Sequence, residues 1–119
     1  MASRSVTKGK DVLVPFPFDD LSRTKVRPAV CLTEPVGPHR HVVLAFITSQ
    51  APTNALDTDL AVLPSDPGFA ASGLRVGSVV RLHRLMTVST PLIMRELGRL
   101  TPEWLAQVDD KLRRLFGLT

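Results

Sequence analysis

Apolar residues recur at every second position through most of this chain, and at helical spacing only near its end. The alternation covers positions 12–18, 26–32 and 78–88, whereas positions 41–48 form an almost unbroken apolar run. Period two indicates a strand with one buried face, and a short continuous apolar run indicates a strand buried on both faces. The sequence therefore predicts a mainly β fold.

Proline distinguishes the first predicted strand from the others. Pro15 and Pro17 lie at its odd positions, and each lacks the N–H that a central position in a sheet requires. We therefore expect this strand to lie at an edge, or to bend away, where the two prolines occur. The loop after it, FDDLSRTK at positions 18–25, is longer than a usual hairpin loop, which suggests a functional role.

The segments between these strands are less regular. Positions 60–63 predict a short strand, positions 64–77 are rich in Gly, Ser and Pro and predict a loop, and positions 92–100 predict a helical turn followed by a last strand. In the strand at positions 78–88, strict alternation places four apolar side chains on one side: Val80, Leu82, Met86 and Val88.

The last segment carries the clearest helix signal. Thr101 can cap a helix, Pro102 suits its first position, and Glu103 lies at the positive end of the helix dipole. Leucine and valine then recur at helical spacing up to Gly117, which can end the helix. We expect this amphipathic helix to pack on the sheet.

The length of 119 residues allows one hydrophobic core and one domain, spanning positions 1–119. The single cysteine, Cys31, excludes an internal disulfide and a thiolate metal cluster. No apolar run reaches about 18 residues and the first residues lack a hydrophobic signal segment, so we expect a cytoplasmic protein that does not enter a membrane. The net charge of +4 is by itself a weak sign of nucleic-acid binding.

Familiar catalytic signatures are absent from the sequence. It contains no glycine-rich phosphate loop, no GxSxG elbow, no HExxH motif and no paired cysteines, so we expect neither a metal nor a cofactor. Two basic groups near strand ends remain. Their members are Arg23, Lys25 and Arg27 in the first, and Arg81, His83 and Arg84 in the second.

Taken as a whole, the string DVLVPFPFDDLSRTKVRPAVCL at positions 11–32 strongly resembles the opening of MazF/PemK-type toxins of bacterial toxin–antitoxin pairs. The resemblance continues, in the same order, in FITSQ at 46–50, SVVRLHRLMTV at 78–88 and LGRLTPEWL at 97–105. It implies the small SH3-like barrel of the MazF/CcdB-type toxin fold, with a C-terminal helix. It also implies a homodimer with a cognate antitoxin. The implied activity is that of a growth-inhibiting, metal-independent endoribonuclease that cuts single-stranded RNA at specific sequences, leaving a 2′,3′-cyclic phosphate and a 5′-hydroxyl.

The resemblance also implies which residues act. The catalytic arginine of the family's RP dipeptide is Arg27 here, and its hydroxyl partner at the end of the third strand is Thr48. The planar fork of an arginine matches two phosphate oxygens and stays charged. A threonine hydroxyl is too weakly acidic to lose its proton near neutral pH, so it is an inefficient base and is better suited to orienting the substrate. The remaining residues expected to contact RNA are Phe18, Asp20, Arg23, Lys25, Ser49, Gln50, Arg81 and His83.

Two positions depart from the family pattern. Arg23 stands where a glycine is usual, and His83 stands where relatives often have aspartate. A histidine could perform the proton transfer proposed for that acid, or it could mark the loss of activity. The alternative function is therefore a toxin of the same fold that does not cleave RNA and binds a protein such as DNA gyrase, or a degenerate homologue kept as a partner. Apart from the resemblance, a strand arginine such as Arg27 is usually a solvated charge.

Overall fold

The computed structural model of the chain describes residues 7–17 and 24–118. A 3₁₀ turn, Thr90–Leu92, precedes the last strand. The other elements of these residues are six strands and two α-helices: β1 (Lys10–Pro17), β2 (Thr24–Cys31), β3 (His41–Thr48), β4 (Asp59–Val62), α1 (Phe69–Ser72), β5 (Ser78–Ser89), β6 (Arg95–Arg99) and α2 (Pro102–Leu115). The predicted mainly β fold with a C-terminal helix is thus confirmed. None of the helices in the described ranges is long and apolar enough to cross a bilayer.

The six strands form one antiparallel sheet in the order β4-β5-β3-β2-β1-β6. The sheet curls into a half-barrel. Helix α1, which connects the strands at one edge, reaches β6 at the other edge. The approach is so close that a Cβ on Gly98 of β6 would clash with the carbonyl oxygen of Ala71. The segment predicted as a loop at positions 64–77 therefore contains a helical turn that closes the curl.

Two hydrophobic clusters cover the two faces of the sheet. On one face, called here the helix face, Trp104 and Val108 of α2 pack against a cluster that includes Val30, Ile47 and Val80. The core of the other, open face is formed by Val12, Val14, Phe16, Ala29, Cys31, Val42, Leu44 and Val88. Strand β3 contributes to both clusters, as its continuous apolar run predicts.

Helix α2 begins and ends where the sequence predicts. Thr101 caps it, because its Oγ1 accepts a hydrogen bond from the backbone N–H of Trp104 at 3.2 Å, and Pro102 occupies the first position. Val108 is fully buried, and full burial of such a side chain contributes roughly 1.5–3 kcal/mol. Gly117, with φ of +69°, follows the end of the helix.

The prediction that β1 lies at an edge where its prolines occur is confirmed, although its first residues pair on both sides. Residues 10–13 pair with β6, and β1 pairs with β2 on its other side from Asp11 to Pro17. Beyond Leu13, β6 has no further partner on β1, so Pro15 lies where β1 pairs with β2 alone. The missing N–H of this proline therefore interrupts no ladder with β6.

Strand β5 contains a bulge that the sequence did not reveal. Its pairing with β3 steps from Ala45–Leu85 to Phe46–Arg81, so residues 82–84 have no partner on β3. The extra residues reverse the direction in which later side chains point, and the prediction that four apolar side chains share one side is wrong. They divide between the faces, with Val80 and Leu82 on the helix face and Met86 and Val88 on the open face.

Candidate functional site

A cleft of about 1000 Å³ opens where β2 and β3 separate. The ladder between these strands ends at the pair Ala29–Phe46, although both strands continue beyond it. The loops after β3 and after α1 line the cleft together with parts of β5 and β6. Its polar lining residues are Arg27, Thr48, Ser49, Gln50, Thr53, Asn54, Arg75, Ser78, Arg81, Arg84 and Arg95.

Arg27 and Thr48 both line this cleft. When the β2–β3 register is continued two residues beyond Ala29–Phe46, the two residues stand across from each other. Arg27 is exposed, and its backbone is held in the sheet by pairing with Val14 of β1. Thr48 ends β3, and its Oγ1 accepts the backbone N–H of Gln50 at 3.2 Å. The sheet thus presents a guanidinium and a hydroxyl to one space.

Positive charge dominates the lining of the cleft. It contains five arginines, and no aspartate or glutamate is found among the described residues that line it. Arg75, Arg84 and Arg95 form no ion pair within residues 7–17 and 24–118. Guanidinium groups facing one cavity create a strongly positive potential, which suits a phosphate backbone.

Arg81 forms an ion pair with Asp59, which does not itself line the cleft. Its Nε–H donates to Oδ1 of Asp59 at 3.1 Å, and Asp59 is the cross-strand partner of Arg81 in the β4–β5 ladder. The other carboxylate oxygen, Oδ2, accepts the backbone N–H of Leu56 at 2.9 Å. Asp59 therefore links Arg81 to the end of the loop that starts at Ser49.

Arg84 lies in the β5 bulge and contacts an aromatic ring. Its guanidinium carbon lies 5.1 Å from the centre of the Phe46 ring, which also contacts the ring of Phe16. This is the distance of a cation–π interaction. The bulge thus directs Arg84 toward the cleft, beside the half-buried Phe46 and the buried Phe16.

The predicted RNA-contacting residues divide into three groups. Ser49, Gln50 and Arg81 line the cleft together with Arg27 and Thr48. Lys25 and His83 are exposed and are not among the residues that line it. The other three predicted contacts, Phe18, Asp20 and Arg23, lie outside the described residues.

Three further cleft arginines were not proposed as site residues from the sequence. Arg75 lies in the loop after α1, Arg84 in the β5 bulge, and Arg95 at the start of β6. The basic group at positions 81–84 was the one available signal, and it did not distinguish Arg84 from His83. The other two are isolated charges that only the curl of the sheet brings to the cleft.

A buried carboxyl group lies outside the cleft. Asp11 is fully buried between its partners Val30 of β2 and Gly98 of β6, and neither oxygen has a hydrogen-bond partner among the described residues. Burial raises the pKa of Asp11 to about 8. Burial, with a smaller effect of the Asp11 charge, raises the pKa of the Cys31 thiol to about 11, so Cys31 is not a reactive thiolate at neutral pH.

Residues 8–116 match the model of a family described as PemK-like, MazF-like toxins of type II toxin–antitoxin systems. No curated protein sequence matches the chain significantly. Solved structures that are similar over nearly their whole length include the following three.

The first of these structures, an endoribonuclease in complex with its cognate antitoxin from a mycobacterial species, has 18% sequence identity and a TM-score of 0.70, covering 97% of this chain and 98% of that one. The Mycobacterium tuberculosis toxin MazF-mt6 has 24% identity and a TM-score of 0.66, covering 91% and 98%. A MazE–MazF complex from Deinococcus radiodurans has 20% identity and a TM-score of 0.66, covering 98% and 100%. At these identities the likeness shows the fold, and it confirms the predicted MazF-type architecture.

Proposed function

We propose that this protein, which belongs to the PemK-like, MazF-like toxins of type II toxin–antitoxin systems, is an endoribonuclease that cleaves single-stranded RNA. The observation that carries the proposal is the cleft shared by Arg27 and Thr48, with five arginines and no acid among its described lining residues. A polyanion such as a single RNA strand fits this charge.

In the proposed reaction, the 2′-oxygen of a ribose attacks the adjacent phosphorus while the bond from phosphorus to the 5′-oxygen breaks. The products are a 2′,3′-cyclic phosphate and a 5′-hydroxyl. Negative charge grows on the phosphorane oxygens during this step, and a group that binds them more strongly then accelerates it. Arg27 takes this role, because its guanidinium donates two parallel N–H groups and lies on a backbone fixed by the sheet.

Thr48 and its neighbours position the substrate. The Thr48 hydroxyl already accepts the Gln50 N–H, so its own proton is available to donate to a phosphate or ribose oxygen. The reaction must also remove the 2′-hydroxyl proton and protonate the departing 5′-oxygen. No described lining residue is a carboxylate or a histidine, so we assign both transfers to water, which reaches the exposed Ser49 and Gln50.

The toxin is further proposed to act as a homodimer in the cytoplasm and to be inhibited by a cognate antitoxin. Two of the similar structures are of a mycobacterial endoribonuclease with its cognate antitoxin and of MazF with MazE. An acidic, partly disordered segment that orders on binding would match the charge of the arginine-lined cleft and would cover it.

The test is cleavage of a long, mixed-sequence RNA by the purified protein in the presence of a chelator. We expect discrete fragments ending in a 2′,3′-cyclic phosphate. Arg27→Ala should lower the cleavage rate by about 100- to 1000-fold, as removal of one transition-state donor does elsewhere. The matched control is Arg113→Ala, which removes an exposed arginine of α2 paired only with Asp110 among the described residues, and it should cleave normally.

Two results would refute the proposal. One is the absence of cleavage by the folded wild-type protein, and the other is cleavage that Arg27→Ala leaves unchanged. Growth arrest that persists in Arg27→Ala without new RNA ends would instead favour a toxin of this fold that blocks a protein target.

A further inference from the structure

Asp59 is a nearly buried acid, and both of its carboxylate oxygens accept hydrogen bonds. Its side chain is only 7% exposed, and that of its partner Arg81 is 20% exposed. One carboxylate oxygen accepts the Nε–H of Arg81 at 3.1 Å, and the other accepts the N–H of Leu56 at 2.9 Å. A carboxylate with both oxygens committed and little contact with water is not a solvated surface charge.

The ion pair with Asp59 uses only one of the three nitrogens of the Arg81 guanidinium. Asp59 engages only Nε, so the two terminal amino groups of the guanidinium, with four N–H donors, form no hydrogen bond to the described residues. Arg81 itself lines the cleft. A guanidinium fixed at Nε has lost much of its rotational freedom before a ligand binds, which lowers the entropic cost of recognising a phosphate.

The same carboxylate also fixes the far end of the loop at positions 49–58. Leu56 and Asp59 exchange two bonds, because the N–H of Asp59 also donates to the carbonyl of Leu56 at 3.0 Å. Lys111 of α2 adds a third constraint, since its Nζ donates to the carbonyl of Asp57 at 2.8 Å. The near end of this loop carries Ser49 and Gln50, which line the cleft.

We propose that Asp59 is a positioning residue for RNA cleavage, which orients the Arg81 guanidinium toward a substrate phosphate and holds the loop at positions 49–58 against it. This inference rests on the proposed endoribonuclease function. Asp59 does not touch the RNA. It acts through Arg81 and through Leu56, so its loss misplaces two sides of the cleft at once.

Simple electrostatics and this inference predict opposite effects of Asp59→Asn on the use of RNA as a substrate. The substitution removes a negative charge behind the cleft, which by itself would strengthen the binding of a polyanion. An asparagine has one acceptor oxygen where the aspartate has two, so Arg81 or Leu56 loses its partner. Because small misplacements of a positioning group can cost about 100-fold in rate, we expect Asp59→Asn to lower kcat/KM by about 10- to 100-fold.

The experiment is a double-mutant cycle on the full chain, with cleavage of a long mixed-sequence RNA and binding of a mixed-sequence 2′-O-methyl RNA pool as the two measurements. Arg81→Ala should lower the slope of log affinity against log salt concentration by about one. Arg81→Lys, which keeps the charge and loses Nε and the planar fork, should keep that slope and lower kcat/KM as Asp59→Asn does. In the Arg81→Ala background, Asp59→Asn should add less than it does alone, because only its effect through Leu56 remains.

The matched control is Asp110→Asn, which makes the same charge change at an exposed carboxylate of α2 and should leave kcat/KM within about twofold. Wild-type activity or better in Asp59→Asn, or effects of Asp59→Asn and Arg81→Ala that multiply independently, would overturn the inference alone. If Asp59→Asn lowers the melting temperature, the comparison of Arg81→Lys with Arg81→Ala decides, because neither changes Asp59. Wild-type protein that neither binds nor cleaves RNA would refute the proposed function, and the inference with it.

Discussion

Similar cations have different surroundings in two regions of the molecule. One region is the cleft, and the other, called the helix side, is the side that carries α2 and the start of β1. On the helix side, Lys8 pairs with Asp109 and Arg113 with Asp110. In the cleft, Arg75, Arg84 and Arg95 have no acidic partner within residues 7–17 and 24–118. The difference shows why a net charge of +4 says little by itself: an acidic partner cancels the charge of one cation, and a cation without such a partner keeps its charge available.

Two kinds of effect should therefore be separable. Changes at the exposed cleft residues should alter RNA binding and cleavage while leaving the free energy of unfolding nearly intact, since exposed charges contribute little to stability. Changes at the exposed charges of the helix side should leave both RNA binding and cleavage intact.

Removal of the Thr48 hydroxyl should have the largest effect among these variants. Thr48→Val keeps the shape and the β-branched form that suits the end of β3, but it loses the hydrogen bond to Gln50 and the donor to the substrate. We expect its cleavage rate to fall by about 100-fold, comparable to the loss of a positioned hydrogen-bond donor. Thr48→Ser, which keeps the hydroxyl, should retain most activity. Equal rates for the two variants in a single-turnover assay would contradict the assigned role.

Cleft arginines with no acidic partner among the described residues should report on phosphate binding. Arg84→Ala and Arg95→Ala should each weaken binding of a 2′-O-methyl RNA pool several-fold and lower the slope against salt concentration by about one. Arg113→Ala on the helix side removes the same charge and should leave the slope unchanged. Slopes that change equally in all three variants would show that any surface arginine contributes to RNA binding and that the RNA does not bind in the cleft.

Asp11 should make the protein less stable as pH rises. Its pKa is raised from its ordinary 3.8 to about 8 in the folded state, so between these values the folded state holds a proton that the unfolded state has released. The contribution of Asp11 to the free energy of unfolding is therefore highest below about pH 4, and it falls by about 1.4 kcal/mol per pH unit up to about pH 8.

Urea unfolding of the wild type and of Asp11→Asn, measured from pH 4 to pH 9, checks this. An asparagine does not titrate, so the difference in unfolding free energy between the two proteins should shift in favour of the variant as pH rises and level off above about pH 8. A difference that stays constant across the range would show that Asp11 titrates normally. RNA binding at a fixed pH should not change, because Asp11 lies outside the cleft.

His83 should have the smallest effect. It is exposed on the β5 bulge and is not among the residues that line the cleft, so His83→Ala should change the cleavage rate by less than about threefold at neutral pH. A loss of about 100-fold would show that the imidazole performs the acid–base step, and a pH–rate profile of the variant would then lose one limb.

Local sequence signals predicted the elements well and their arrangement less well. The Thr101 cap, the Pro102 start and the apolar run of β3 each act within a few residues, so the sequence alone specifies them. The bulge at positions 82–84 and the pairing of β1 with β6 depend on contacts between distant segments. Alternation along one strand does not report them.

The candidate site shows the same division. Arg27 and Thr48 were identified through a family pattern that covers nearly the whole chain. Arg75 and Arg95 carry no local signal, because each is a single charge on a loop or at a strand start. Asp59 gave none either, since its role depends on the cross-strand position of Arg81.

Mapping of new RNA 5′ ends in cells after induction shows whether Arg27 carries RNA cleavage, with wild type, Arg27→Ala and Arg113→Ala compared at equal protein levels. We expect a discrete set of 5′-hydroxyl ends at a shared short sequence with wild type and Arg113→Ala, and none with Arg27→Ala. The same ends appearing with Arg27→Ala, or growth arrest by wild type without any new ends, would contradict this expectation.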